Sequence, residues 1–348
     1  KCTLGDITIN FNLRNKEKIE LPMYSVTNNR GFIPQSEQFE DRDMVGEDIK
    51  AYKIIHNKDF AYNPARINVG SIAKYNGSKP CMISSLYVCF KAANGIDEDW
   101  LMHLLRSPKI QYYYNINGEG GVRIYLFYPN FARIRTSFPT IAEQRKIANL
   151  LSLLDARITT QNKIIEKLQS LIKGLAVTLT TKGKPNTTIS QCLECHSSTL
   201  QESEVSPNGL YKVFGANGLV GYTDVPQMNG DSILVIKDGS GVGTASYAQG
   251  KFSVIGTLNY LTVLGNNNLR YLYFALSVFN FQSYKTGMAI PHIYFKDYGN
   301  AKIYCPSLTE QKRVANMLDK MESKLFLEQE LLASFNSQKR YLLGQMFI

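Results

Sequence analysis

The stretch PTIAEQRKIANLL at 139–151 returns at 306–318 as PSLTEQKRVANML, 167 residues further on. Six positions are identical, among them Glu143/Glu310, Gln144/Gln311 and Ala148/Ala315, and three more are conservative exchanges. A repeat of this kind fixes the architecture before any other feature is read. Each copy reads as the start of a long helix. Pro suits the entry, Thr140 or Ser307 can cap the first amides, and Glu143 or Glu310 follows at capping-box spacing.

The apolar positions then step by four and three. The first copy gives Ile147, Leu151, Leu154, Ile158, Gln161, Ile165, Leu168, Ile172, Leu175 and Leu179. The second gives Val314, Leu318, Met321, Leu325, Glu328, Leu332, Phe335, Lys339, Leu342 and Met346, in the same register. This is a heptad seam, and two matched seams predict a coiled coil. If the halves are related by a pseudo-twofold axis, the helices run antiparallel, and the polar seam positions Gln161 and Glu328 fall at the two midpoints. Read from Ile141 to Thr181, the first helix is roughly 60 Å long at ~1.5 Å per residue.

Between the helices lie two stretches with one plan. Each has short β-leaning runs, such as MISSLYVCF at 82–90 and SVIGTLNYLTVL at 253–264. An apolar helix follows (97–107; 268–278), then a glycine loop (117–123; 286–292), then an aromatic segment leading to the Pro. The expected class is α+β, with two similar lobes of mixed β-sheet and helices joined by two long helices. Boundaries are expected at 1–139, 140–182, 183–306 and 307–348, with Lys182–Pro185 as the linker.

The net charge of +10 favours a phosphate-rich partner, nucleic acid above all. Six cysteines without framework spacing suit a reducing cytosol. The longest apolar run, 271–281, is too short to span a bilayer, so no membrane role is expected. The chain opens at Lys1 with neither Met nor a secretory signal, and a short N-terminal piece is expected to precede it.

The paired P-x-x-EQ-(basic)2-(I/V)-A-x-(L/M)-L motifs, and GMAIPHIYFKDYGNAKIYCPSLTEQ at 287–311, resemble the specificity (S) subunits of type I restriction–modification systems. The resemblance covers essentially the whole chain, although the first half has Ile124 where the motif carries Pro. It implies two target-recognition domains, each followed by a spacer helix. It also implies a non-catalytic, cytoplasmic subunit that reads a split site in double-stranded DNA. Such a subunit docks methyltransferase (M) subunits, two of them by symmetry, and through them nuclease (R) subunits.

Base reading calls for Arg, Lys, Asn, Gln and Ser at base edges. The candidates are Asn63, Arg66, Ser71, Lys74, Asn76, Lys79 and Arg123 in the first domain. In the second they are Lys212, Asn217, Lys237, Ser240, Lys251, Lys285 and His292. For M subunits the repeated, outward-reading polar residues are Glu143, Gln144, Arg145 and Lys146, with Glu310, Gln311, Lys312 and Arg313.

Three motifs are set aside. Cys192-Leu-Glu-Cys195-His196 matches haem attachment but lacks an export context, and a zinc reading lacks a second ligand pair. DGSGVGT at 238–244 lacks the ending of a P-loop. YNPARI at 62–67 lacks the second Pro and the aromatic of adenine methyltransferases. Neither a cofactor, a metal nor a catalytic constellation is expected. The alternative, a single-chain methyltransferase or nuclease with fused recognition domains, would need a cofactor loop or paired carboxylates in a metal site.

Overall fold

The computed structural model describes residues 2–37, 49–120 and 124–347. They form two compact units, Lys1–Gln161 with Leu331–Ile348, and Asn162–Glu330. Each unit therefore combines one lobe with a segment of both long helices.

The first long helix runs Ile141–Thr180 and the second Leu308–Met346. Every predicted seam position on both is buried or half-buried. Direction is readable inside each unit. In unit 1, Asp155 bonds Lys339, while Ala148 and Leu151, earlier in the first helix, share a core with Leu342, Met346 and Phe347, later in the second. In unit 2, Ala176 near the end of the first helix packs with Val314, Ala315 and Leu318 near the start of the second. The pairing is antiparallel in both, as expected for halves related by a pseudo-twofold axis.

The capping box forms fully at the first helix. The Thr140 N–H donates to Glu143 Oε2 at 3.1 Å, and the Glu143 N–H to Thr140 Oγ1 at 3.4 Å. At the second helix only the Ser307 half is kept, because Glu310 turns to a bidentate pair with Arg313 (2.7 and 2.8 Å). That pair holds the Glu310 carboxyl below the usual carboxylate range.

The lobes repeat as well. Unit 1 has a four-stranded antiparallel sheet in the order Thr8–Phe11, Val88–Ala92, Phe60–Tyr62, Ile72–Lys74. Unit 2 has the same order in Leu193–Ser197, Leu258–Val263, Ser232–Ile236, Ala245–Ala248. In both, the first strand pairs with the last, so the ladder joins residues 62 to 84 positions apart. A two-residue ladder closes each lobe at its base, Cys2–Thr3 on Arg135–Thr136 and Thr187–Thr188 on Lys302–Ile303. A one-turn helix follows each time, Leu4–Ile7 and Ile189–Cys192.

The lobes diverge in their smaller sheets. Unit 1 has two separate pairs, Tyr24–Thr27 with Gly31–Pro34 and Lys53–Ile55 with Cys81–Ile83. Unit 2 has one four-stranded sheet that includes a parallel pair, Tyr211–Gly215 with Lys251–Val254. The frame is thus common and the part built onto it is not.

Candidate nucleic-acid interface

The joint between lobe and long helix is the same in both units, and it rests on the repeated glutamine. Gln144 is fully buried. Its Oε1 accepts the Asp97 N–H at 2.8 Å, and its Nε2 donates to the carbonyls of Pro139 (3.0 Å) and Gly95 (3.4 Å). Gln311 is 2% exposed. Its Oε1 accepts the Asn268 N–H at 2.8 Å, and its Nε2 donates to the Pro306 carbonyl at 2.9 Å. Asp97 and Asn268 are the N-caps of the lobe helices Glu98–Leu105 and Leu269–Ser277. One side chain thus ties the start of the lobe helix to the start of the long helix. This corrects the outward reading of Gln144 and Gln311, whose side chains offer no partner surface. The signal was present: stepping the seam back three residues from Ile147 and Val314 lands on them.

Above each joint lies a cleft at the same place in the repeat. In unit 1 it measures about 880 Å³ and is lined by Lys74 and Asn76 at the end of a sheet strand, Asp99, His103 and Arg106 on the lobe helix, and Ser152 and Asp155 on the long helix. In unit 2 it measures about 490 Å³, between Tyr247–Gln249, Arg270 and Tyr273, Glu322, and Lys212 with Lys251. Asp155 and Glu322 stand at equivalent repeat positions.

The two linings differ. In unit 2 the Arg270 guanidinium bonds Asp319 and Glu322 and lies 4.3 Å from the Tyr247 ring centroid and 4.9 Å from that of Tyr273. Lys212 and Lys251 are left exposed at the rim. In unit 1, Lys74 bonds Asp99 and Lys339 bonds Asp155, while His103 Nε2 sits 3.4 Å from Ser152 Oγ. Burial pushes His103 below the ordinary histidine range, against a smaller upward pull from Asp155. The unfolded chain then binds this proton more readily. Stability of unit 1 should be full above about pH 6.5 and fall as the pH drops through that unfolded-state value. Thermal melts between pH 7.5 and 5.5 check this: His103→Gln should flatten the dependence, and an unaltered slope would remove His103 as its source.

A second group lies at the far end of the central strands. Asn63 folds into a turn, accepting the Ala65 N–H at 3.0 Å, and Arg66 beside it is exposed. In unit 2, Lys237 and Ser240 occupy the corresponding turn. His292 Nδ1 lies 2.6 Å from Asp238 Oδ1, with Lys285 on the neighbouring loop. Lys79 is exposed, and Asn217 is exposed between paired strands. Ser71 is a correction: it is 1% exposed and its hydroxyl donates to the Val26 carbonyl at 2.7 Å, so it cannot reach a base. Arg123 lies outside the described residues.

The motifs set aside have structural surroundings. His196 stacks on Tyr260 at 4.9 Å and its Nε2 lies 2.9 Å from Thr262 Oγ1, while Cys192 is buried in the unit 2 core. Among the described residues no His, Cys, Asp or Glu group is arranged to hold a metal, and no helix is long and apolar enough to cross a membrane.

Sequence reading proposed the charged part of a second surface and missed its apolar part. Glu143, Arg145, Lys146, Lys312 and Arg313 are exposed, and Glu310 is half-exposed. Beside them the outer helix faces carry exposed apolar residues. Leu150 and Ile164 on the first helix recur as Met317 and Leu331 on the second, all between 37% and 45% exposed.

Comparison with known proteins follows this geometry. Residues 191–336 match the family model of the type I restriction modification DNA specificity domain. The type I restriction enzyme EcoprrI specificity subunit of Escherichia coli is 25% identical over 114 residues, 33% of this chain and 28% of that protein. The putative type I restriction enzyme MjaX specificity subunit of Methanocaldococcus jannaschii is 28% identical over 175 residues, 49% of this chain and 41% of that protein. The chain thus matches less than half the length of either curated relative. The type I restriction–modification S subunit from M. genitalium shares the fold over 99% of this chain and 95% of its own, with TM-score 0.67 and 15% identity. A chain from a structure of type I complex assembly aligns over 99% and 96%, with TM-score 0.60 and 15% identity. Residues 191–336 thus carry the type I restriction modification DNA specificity domain, and the chain as a whole shares the fold of a solved type I restriction–modification S subunit.

Proposed function

We propose that the chain is the non-catalytic DNA-reading subunit of a type I restriction–modification complex. Each lobe reads one half-site of a split duplex target, and the long helix pair sets the unread gap. The outer helix faces hold two methyltransferase subunits, through which nuclease subunits join. The observation that carries the reading is the recurrence of one frame with two different linings. A shared frame suits two copies of one partner, and unlike clefts suit two unlike half-sites. The charge of +10 fits a polyanionic ligand.

On this reading the exposed lysines are phosphate contacts and Asn76 and Asn217 are base contacts. Lys212→Ala with Lys251→Ala should weaken all sequences alike and reduce the slope of log affinity against log salt by about 2. Asn76→Ala should relax one target position at a cost of about 1–3 kcal/mol. The decisive experiment is methylome sequencing of cells expressing the chain with its methyltransferase. A split motif with a fixed gap is the expected result, and a continuous motif would overturn the two-lobe reading. Methylation by the chain alone, given S-adenosylmethionine, would instead favour a single-chain enzyme.

A further inference from the structure

In each unit the last strand in the order of the main sheet leaves through a turn into a strand of a smaller sheet. Ile72–Lys74 leads to Cys81–Ile83, and Ala245–Ala248 leads to Lys251–Val254. Each turn carries a carboxamide followed by glycine, Asn76-Gly77 in unit 1 and Gln249-Gly250 in unit 2. An exposed lysine follows, Lys79 or Lys251. Asn76 and Gln249 are both exposed, and each lines the cleft of its own unit.

The backbone under each amide is held in place. In unit 1 the Tyr75 hydroxyl donates to the Lys79 carbonyl at 2.7 Å, and Asn57 Nδ2 donates to the Gly77 carbonyl at 3.1 Å. In unit 2 the Gly230 N–H donates to the Gly250 carbonyl at 2.9 Å, and Gly250 takes φ +75°, a region that favours glycine. The two amides take no part in this. Neither Asn76 nor Gln249 has a positive φ, so neither is there as a left-handed turn residue. Among the described residues neither side-chain amide makes a hydrogen bond. Both are thus free groups on fixed bases.

We propose that Asn76 and Gln249 each read an adenine, so that the two half-sites share an A·T pair at repeat-related positions. This rests on the DNA-reading function above and adds to it a base identity and a reader in unit 2. A carboxamide presents a donor and an acceptor side by side. The major-groove edge of adenine presents the complement, the N6 donor beside the N7 acceptor. Guanine shows two acceptors there, cytosine a donor alone, and thymine an acceptor and a methyl group. A phosphate offers acceptors only and would leave the amide oxygen unused, and the lysine that follows each amide suits that role better. The clefts differ further in. Arg270 lies among tyrosines and carboxylates in unit 2, whereas unit 1 has Lys74 with Asp99 and His103 beside Ser152. The half-sites therefore differ at other positions while this one recurs.

The test uses the full chain assembled with its methyltransferase, without S-adenosylmethionine, and duplexes carrying the target that methylome sequencing returns. Each adenine is replaced in turn by 7-deazaadenine, which keeps the base pair and removes only the N7 acceptor. One replacement in each half-site should weaken binding by roughly 5- to 100-fold. Gln249→Ala should abolish that penalty in one half-site and keep it in the other, and Asn76→Ala should do the converse. The penalty that each variant keeps shows that it is folded and bound in register. A half-site in which no replacement matters, or a penalty that neither variant removes, would overturn the adenine reading. An equal loss on all sequences with a shallower salt dependence would make the amides phosphate contacts and overturn it too. Failure of the wild-type complex to bind any duplex in a salt-dependent way would overturn the DNA-reading function itself, and the adenine reading with it.

Discussion

Gln144→Leu is expected to destabilise unit 1, and Gln311→Leu unit 2, by about 2–4 kcal/mol each. Leucine nearly matches glutamine in volume, so packing is kept and only the hydrogen bonds are lost. What remains is a buried N–H, that of Asp97 or Asn268, and a proline carbonyl, each losing its amide partner. An unsatisfied buried polar group costs about 1–3 kcal/mol, well above the net gain from making the bond. The single tryptophan, Trp100, is 1% exposed in the unit 1 core, so its emission reports that unit. In denaturant titrations Gln144→Leu should shift the emission transition strongly. Gln311→Leu should act mainly on the helical signal in circular dichroism. Shifts under about 0.5 kcal/mol, the range of an ordinary surface substitution, would show that these glutamines do not hold the joints.

The glutamines also mark where legibility stopped. The seam could be read because a 3.5-residue period is a local property of one helix, and each predicted position from Ile147 to Met346 is at least half-buried. Polarity masked its first step: a polar residue in a charged run reads as solvated, and only the tertiary partners Asp97 and Pro139 show otherwise. Ser71 failed for the same reason, since its partner Val26 lies 45 residues away. The sheet order was not legible either. Strands of three to six residues, such as Phe60–Tyr62 and Ser232–Ile236, are buried on both faces and carry no alternation from which register could be read. The clefts gather Lys74, Asp99 and Ser152 from three elements, so no sequence window contains them. By contrast, Lys212 and Lys251 were found by residue type and then brought together by a parallel strand pair that the sequence did not announce.

On the proposed function, a four-residue insert near Thr159–Thr160, matched by one at the repeat-related Phe326–Leu327, should lengthen the tolerated gap in the target. Four residues add about 6 Å of helix at ~1.5 Å per residue. On a duplex rising ~3.4 Å per base pair, that is at most about two more unread positions. A four-residue insert is a stutter in a heptad seam, which the coil absorbs by local unwinding, so the seam can continue on both sides. A three-residue insert overwinds it instead and should be tolerated less well. Inserting in only one helix would put Asp155 and Lys339, or Ala176 and Val314, out of step, so the matched design is the sound test. Both half-sites should stay the same, because neither cleft is touched. Methylome sequencing of the paired insert should therefore return the original half-sites with a wider gap. The original gap, recovered at undiminished methylation, would mean that spacing is set somewhere other than the helices. A changed half-site would mean that the helices also shape the clefts, through Ser152, Asp155 and Glu322.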